Sequence, residues 1–102
     1  MADVVEEAQL DQLAPGQGMT VTVGGKHVAL FNVEGTVYAM EDACLHAGAS
    51  LGLGVLEGKV VRCRAHGWRY NVTTGSTMNV PDYGVTGYPV QVVEGKILVA
   101  VT

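Results

Sequence analysis

His27-Val28-Ala29-Leu30-Phe31-Asn32-Val33-Glu34-Gly35-Thr36-Val37-Tyr38-Ala39-Met40 holds two apolar runs rich in β-branched and aromatic residues, separated by a Glu-Gly pair. Such side chains suit a pleated, half-buried surface, and a glycine at positive φ lets a two-residue turn reverse the chain without splaying the strands. The stretch therefore predicts an antiparallel hairpin. Working outward, Met19–Val23, Lys59–Val61, Val90–Val93 and Ile97–Val101 repeat the strand-like pattern, and Gly24-Gly25, Glu57-Gly58 and Glu94-Gly95 stand where reversals are needed. One short helix is expected around Ala8–Leu13, ended by Pro15 and Gly16. The expected fold class is all-β, an antiparallel β-sandwich or small barrel. A chain of 102 residues holds one core, so a single domain over 1–102 is expected.

Charge and composition narrow the function. The formal net charge is −4, and residues 14–102 balance, so the excess comes from Asp3, Glu6, Glu7 and Asp11. An even balance offers no basic surface to neutralise phosphates, which argues against nucleic acid as a partner. No basic stretch followed by an apolar run opens the chain, and no apolar segment approaches bilayer length; a cytoplasmic protein with no membrane partner is expected. In that compartment two cysteines serve a metal more often than a disulfide. Gly52–Gly58 fails as a dinucleotide loop, because its last glycine comes one position late and no helix pattern follows.

Two segments, Asp42–Gly54 and Arg64–Tyr83, break the strand pattern and read as long loops, the places where a rigid scaffold displays chemistry. The first carries Cys44-Leu45-His46 and the second Cys63-Arg64-Ala65-His66. Each loop thus supplies one thiolate and one imidazole. Zinc-finger spacings usually pair like with like, whereas a [2Fe-2S] centre with two cysteines on one iron and two histidines on the other needs one of each from each loop.

These residues resemble the Rieske ferredoxin family from about Val28 to the C-terminus. Cys44, His46, Gly48, Leu51 and Gly54 match its first motif; Cys63, His66, Gly67, Trp68 and Tyr70 match its second, followed by Thr74-Gly75 and Pro81. Leu45 and Arg64 stand where many relatives carry proline, and Asn71 where they often carry aspartate. The chain lacks the extra cysteine pair that clamps the loops of respiratory relatives, so it is similar to the bacterial ferredoxins of aromatic ring-hydroxylating dioxygenase systems. The resemblance implies a Rieske fold with one [2Fe-2S] cluster between two loops, held by Cys44, His46, Cys63 and His66. It implies a one-electron carrier, not an enzyme in itself, that docks transiently on an NAD(P)H-dependent ferredoxin reductase and on a terminal oxygenase. Leu45, Ala47, Arg64 and Pro81 are the expected docking surface, Trp68 is expected to pack beneath the loop, and Tyr70 is expected to tune the centre if its hydroxyl reaches Cys44.

Trp68 occupies the place of a serine in high-potential relatives, so a potential toward the low end of roughly −150 to +300 mV is expected. Titration of the two imidazoles should make it fall as pH rises. Two other readings stand beside this one: a Rieske-like small subunit of a larger reductase such as nitrite reductase, and a structural zinc module.

Overall fold

The structure, a computed structural model, describes residues 3–23, 26–42, 50–64, 67–77 and 84–101. The strands among them are β1 (Asp3–Gln9), β2 (Gly18–Val23), β3 (Lys26–Val33), β4 (Thr36–Glu41), β5 (Val55–Glu57), β6 (Val60–Arg62), β7 (Arg69–Asn71), β8 (Gly87–Tyr88), β9 (Val90–Val93) and β10 (Lys96–Val101). Their pairing is antiparallel throughout and gives three sheets, in the orders β1-β10-β9, β2-β3-β4-β8 and β5-β6-β7. The all-β expectation holds.

The opening hairpin explains how the sheets stack. Alternate residues of a strand face opposite sides. Val28 and Leu30 of β3 therefore join Val37, Ala39, Leu13, Ile97 and Val99 in one core. Ala29 and Phe31 turn the other way, into a second core with Met40, Leu51, Val61, Cys63, Tyr70, Val72 and Val85. The unbroken apolar run Val28–Phe31 is thus buried on both faces, as in a strand with a layer on either side. Fully burying each Val, Leu or Phe side chain stabilises the fold by about 1.5–3 kcal/mol.

Turn chemistry follows the sequence closely. Glu34 and Gly35 both have positive φ, 53° and 96°, and Glu94 and Gly95 repeat this at 51° and 76°. Both pairs suit the two-residue hairpin turn that needs two left-handed residues. Buried Asn32 reinforces the first: its Oδ1 accepts from the Gly35 N–H at 2.8 Å, and its Nδ2 donates to the Leu13 carbonyl at 2.8 Å. The β5–β6 turn lies one residue later than expected, at Gly58-Lys59, because Glu57 pairs with Val60. The Gly24-Gly25 turn lies outside the described residues.

Two expectations are corrected. The helix around Ala8–Leu13 is a single 3-10 turn, Leu10–Gln12; Ala8 and Gln9 belong to β1 and pair with Ile97 and Lys96. A six-residue helix forms too few bonds to repay its nucleation, whereas pairing with β10 satisfies the backbone directly. The expected second long loop contains β7, which continues the β5-β6 sheet.

Candidate metal centre

The β5-β6-β7 sheet presents the second motif. Arg62 and Arg69 are partners across β6 and β7, and the chain beyond them closes tightly. The Cys63 N–H donates to the Trp68 carbonyl at 2.7 Å, and the Gly67 N–H donates to the Cys63 carbonyl at 2.9 Å. Gly67, at φ 75°, supplies the left-handed residue that this closure requires. Both backbone groups of Cys63 are therefore tied down, and the residue is only 1% exposed.

The stem of the first motif is pinned by Asp42, a residue the sequence did not single out. Its buried carboxylate accepts from Ser50 Oγ at 2.9 and 2.8 Å and from the Gly52 N–H at 2.7 Å. Ser50 Oγ also lies 3.2 Å from Thr20 Oγ1 of β2. Hydrogen bonds to an ionised acceptor are among the stronger ones, so Asp42 fixes where the segment 43–49 leaves and rejoins the scaffold. Only the position of an aspartate at the end of a strand run hinted at this, and that reads equally well as a solvated strand end.

The described end of the first motif, at Gly54, lies close against β6. A Cβ on Gly54 would sit 2.5 Å from the Arg62 carbonyl oxygen and 3.0 Å from Val61 Cγ2, so only glycine permits this approach. Leu51 shares the second core with Cys63, and Arg64 Nε donates to the Leu53 carbonyl at 2.5 Å. The stems of the two motifs meet at Cys63.

Of the expected site residues, Cys63, Arg64, Trp68 and Tyr70 are described. Arg64 is exposed, Trp68 is half-buried against the second core, and Tyr70 is fully buried within it. Cys44, Leu45, His46, Ala47, His66 and Pro81 lie outside the described residues, as does any approach of Tyr70 to Cys44. The Asn71 departure is accommodated: its Oδ1 accepts from the Thr73 N–H at 2.9 Å and from Thr73 Oγ1 at 2.6 Å, a turn an aspartate would make equally well. Thr77, also missed, donates its hydroxyl to the Arg69 carbonyl at 3.0 Å and so ties down the end of the second motif.

A thiol withdrawn from water where two loop stems converge, with its backbone immobilised, is a soft donor suited to an iron–sulfur group. What the described residues show fits that cofactor.

Comparison with known proteins supports the same conclusion. Residues 3–94 match the model of the Rieske [2Fe-2S] domain. The ferredoxin component of the naphthalene 1,2-dioxygenase system of Pseudomonas putida is 33% identical over 96 residues, covering 93% of this chain and 92% of the relative. The biphenyl dioxygenase ferredoxin subunit of Pseudomonas sp. strain KKS102 is 34% identical over 92 residues, covering 88% and 84%. Among solved structures, the ferredoxin of carbazole 1,9a-dioxygenase from Nocardioides aromaticivorans IC177 superposes with a TM-score of 0.89 at 35% identity, covering 97% of this chain and 98% of that one. The chain belongs to the Rieske [2Fe-2S] domain family, and its cofactor is one Rieske-type [2Fe-2S] cluster.

Proposed function

We propose that this chain is a cytoplasmic one-electron carrier, a single domain that takes electrons from an NAD(P)H-dependent ferredoxin reductase and passes them to a terminal aromatic ring-hydroxylating oxygenase. The observation that carries this reading is the reach of the similarity. The chain aligns with nearly the whole of several ferredoxin components. The terminal oxygenase of carbazole 1,9a-dioxygenase from N. aromaticivorans, 30% identical with a TM-score of 0.83, is covered over only 29% of its length. No helix among the described residues is long and apolar enough to cross a membrane, which accords with a carrier that moves between partners.

In this reading Cys44, Cys63, His46 and His66 would hold the cluster. When bound, the cluster accepts and releases one electron. The chain's own residues do the rest. Asp42 and Arg64 hold the two loop stems in register. The second core, with Leu51, Tyr70 and Cys63, keeps water from the sulfur side, so that little rearrangement accompanies the change of charge. A reductase small subunit is the second reading; a nitrite reductase small subunit from Mycobacterium tuberculosis shares the fold with a TM-score of 0.91 at 28% identity. The presence of all four ligand residues in the sequence favours the carrier.

The test is to purify the protein aerobically, record its visible spectrum, and reduce it with dithionite for electron paramagnetic resonance. A red-brown protein giving the low average g of mixed nitrogen and sulfur ligation is expected, and Cys44→Ser or His66→Ala abolishes that signal. A colourless protein with stoichiometric zinc would sink the proposal. NADH-driven turnover reconstituted with a reductase and an oxygenase then separates the carrier from the reductase subunit.

A further inference from the structure

Although the charges of residues 14–102 balance overall, they are unevenly distributed along the chain. Between 43 and 81 the chain carries Lys59, Arg62, Arg64 and Arg69 and a single acid, Glu57. The remaining nine acids and only Lys26 and Lys96 belong to the rest of the chain. Arg62 and Arg69 sit on the sheet that presents Cys63, and Arg64, the third arginine of the protein, directly follows Cys63.

The register places two of them side by side. Arg62 is the partner of Val55 on one side and of Arg69 on the other, so Val55, Arg62 and Arg69 form one row on the face opposite buried Val61 and Tyr70. Both arginines are exposed. Glu57 lies on the same face one row further from Cys63, opposite Val60. A concavity of about 260 Å³ is lined by Val55, Arg62, Cys63, Arg64 and Gly67, and a second of about 310 Å³ by Glu57, Val60, Arg62 and Arg69. The route from Cys63 to the surface thus opens between arginines. Arg64 is already held in place by the Leu53 carbonyl, and Leu53, an apolar side chain 64% exposed, lies beside it. An apolar contact flanked by ordered guanidinium groups is the anatomy of a small docking surface.

We propose that the redox partner docks a carboxylate-rich surface on this arginine face, over Val55 and Leu53 and beside Cys63. Charge complementarity selects that occupant: guanidinium groups pair with carboxylates in a planar, two-pronged geometry, and opposite charge steers encounter. The negative remainder of the molecule turns the approaching partner toward the same face. The proposal rests on the electron-carrier reading.

Its test compares two protein oxidants of opposite surface charge. Reduced holoprotein is mixed with oxidised plastocyanin, which docks through an acidic patch, or with oxidised cytochrome c, which docks through lysines. One electron passes from the holoprotein to the copper, taking Cu(II) to Cu(I), or to the haem, taking Fe(III) to Fe(II). The rate with plastocyanin is expected to fall as salt rises, and Arg62→Gln/Arg69→Gln is expected to slow it about tenfold at low salt without slowing cytochrome c. Arg62→Lys/Arg69→Lys retains most of the rate. A plastocyanin rate that rises with salt in the unaltered protein, or that the double glutamine variant leaves unchanged, overturns the proposal. So does a dimer at low salt that salt or the variant dissociates, since the face would then be a contact between copies of this chain. A protein that takes up no cluster defeats the carrier reading instead, and the spectrum recorded before mixing tells the two failures apart.

Discussion

The two cores of this molecule are built differently although one strand serves both. The core between β1-β10-β9 and the four-stranded sheet is aliphatic, closed by longer strands such as β3 and β4, in register from Val28↔Glu41 through Val33↔Thr36. The core beneath the motifs is closed by three strands of three residues each, and its order comes from individual polar contacts: Asp42 to Ser50 and Gly52, Arg64 to Leu53, and Cys63 to Trp68 and Gly67. Burial is forgiving of small shifts, whereas a hydrogen bond fixes distance and direction. The first core therefore supplies stability and the second supplies position, which a centre that must not rearrange on reduction requires.

The severest test of that division is Phe31→Ala. Phe31 is fully buried beneath the motifs but belongs to β3, so a loss of about 3–5 kcal/mol is expected, with the secondary-structure and cluster signals melting together. If the cluster signal were lost well before the strands, the two cores would be separate units. Asp42→Ala should do the reverse. It removes the acceptor of a buried backbone N–H at a cost of about 1–3 kcal/mol, and cluster loss should accelerate while β3 amides stay protected from hydrogen exchange. Arg64→Gln removes one exposed hydrogen bond between the loop stems. A loss of about 1 kcal/mol or less is expected, visible chiefly as a shorter half-life of the visible absorbance under a chelator.

The smallest effect is a pH dependence at the far side of the four-stranded sheet. Burial, and then the charge of Glu41, raise the Tyr88 hydroxyl above its ordinary value of 10.0. The unfolded chain thus gives up this proton first, so the contribution is intact below pH 10 and is lost as pH rises through the folded value. Tyrosinate absorbance should show a late-titrating component that is lost in Tyr88→Phe and moves earlier in Glu41→Gln, with the cluster spectrum unaffected by either change.

What was legible in the sequence follows the same division. The β3–β4 hairpin, its Glu34-Gly35 turn and the runs that became β2, β9 and β10 could be read, because long apolar runs and left-handed turn residues are local signals. β1 could not. Its partner lies at the other end of the chain, and nothing within Asp3–Gln9 records that pairing. β5 and β7 are too short to display a period, and β8 is only two residues long. The cysteine and histidine pairs proposed as ligands stand out in the sequence because metal ligation constrains residue type and spacing. Asp42 and the arginine face were not, since the first acts only through loop closure and the second appears only when register sets Arg62 against Arg69.

The double burial of β3 also has an evolutionary side. Drift in a sandwich usually proceeds by compensated exchanges within one core, a lost methyl here recovered there. Adjacent positions of β3 answer to different cores, and a shift of the strand that suits a new residue at Leu30 displaces Ala29 and Phe31 on the side of Cys63. Neutral change in the outer sheet is thereby screened by redox performance, and β3, which supplies none of the expected ligands itself, should be among the slowest strands in the chain to vary.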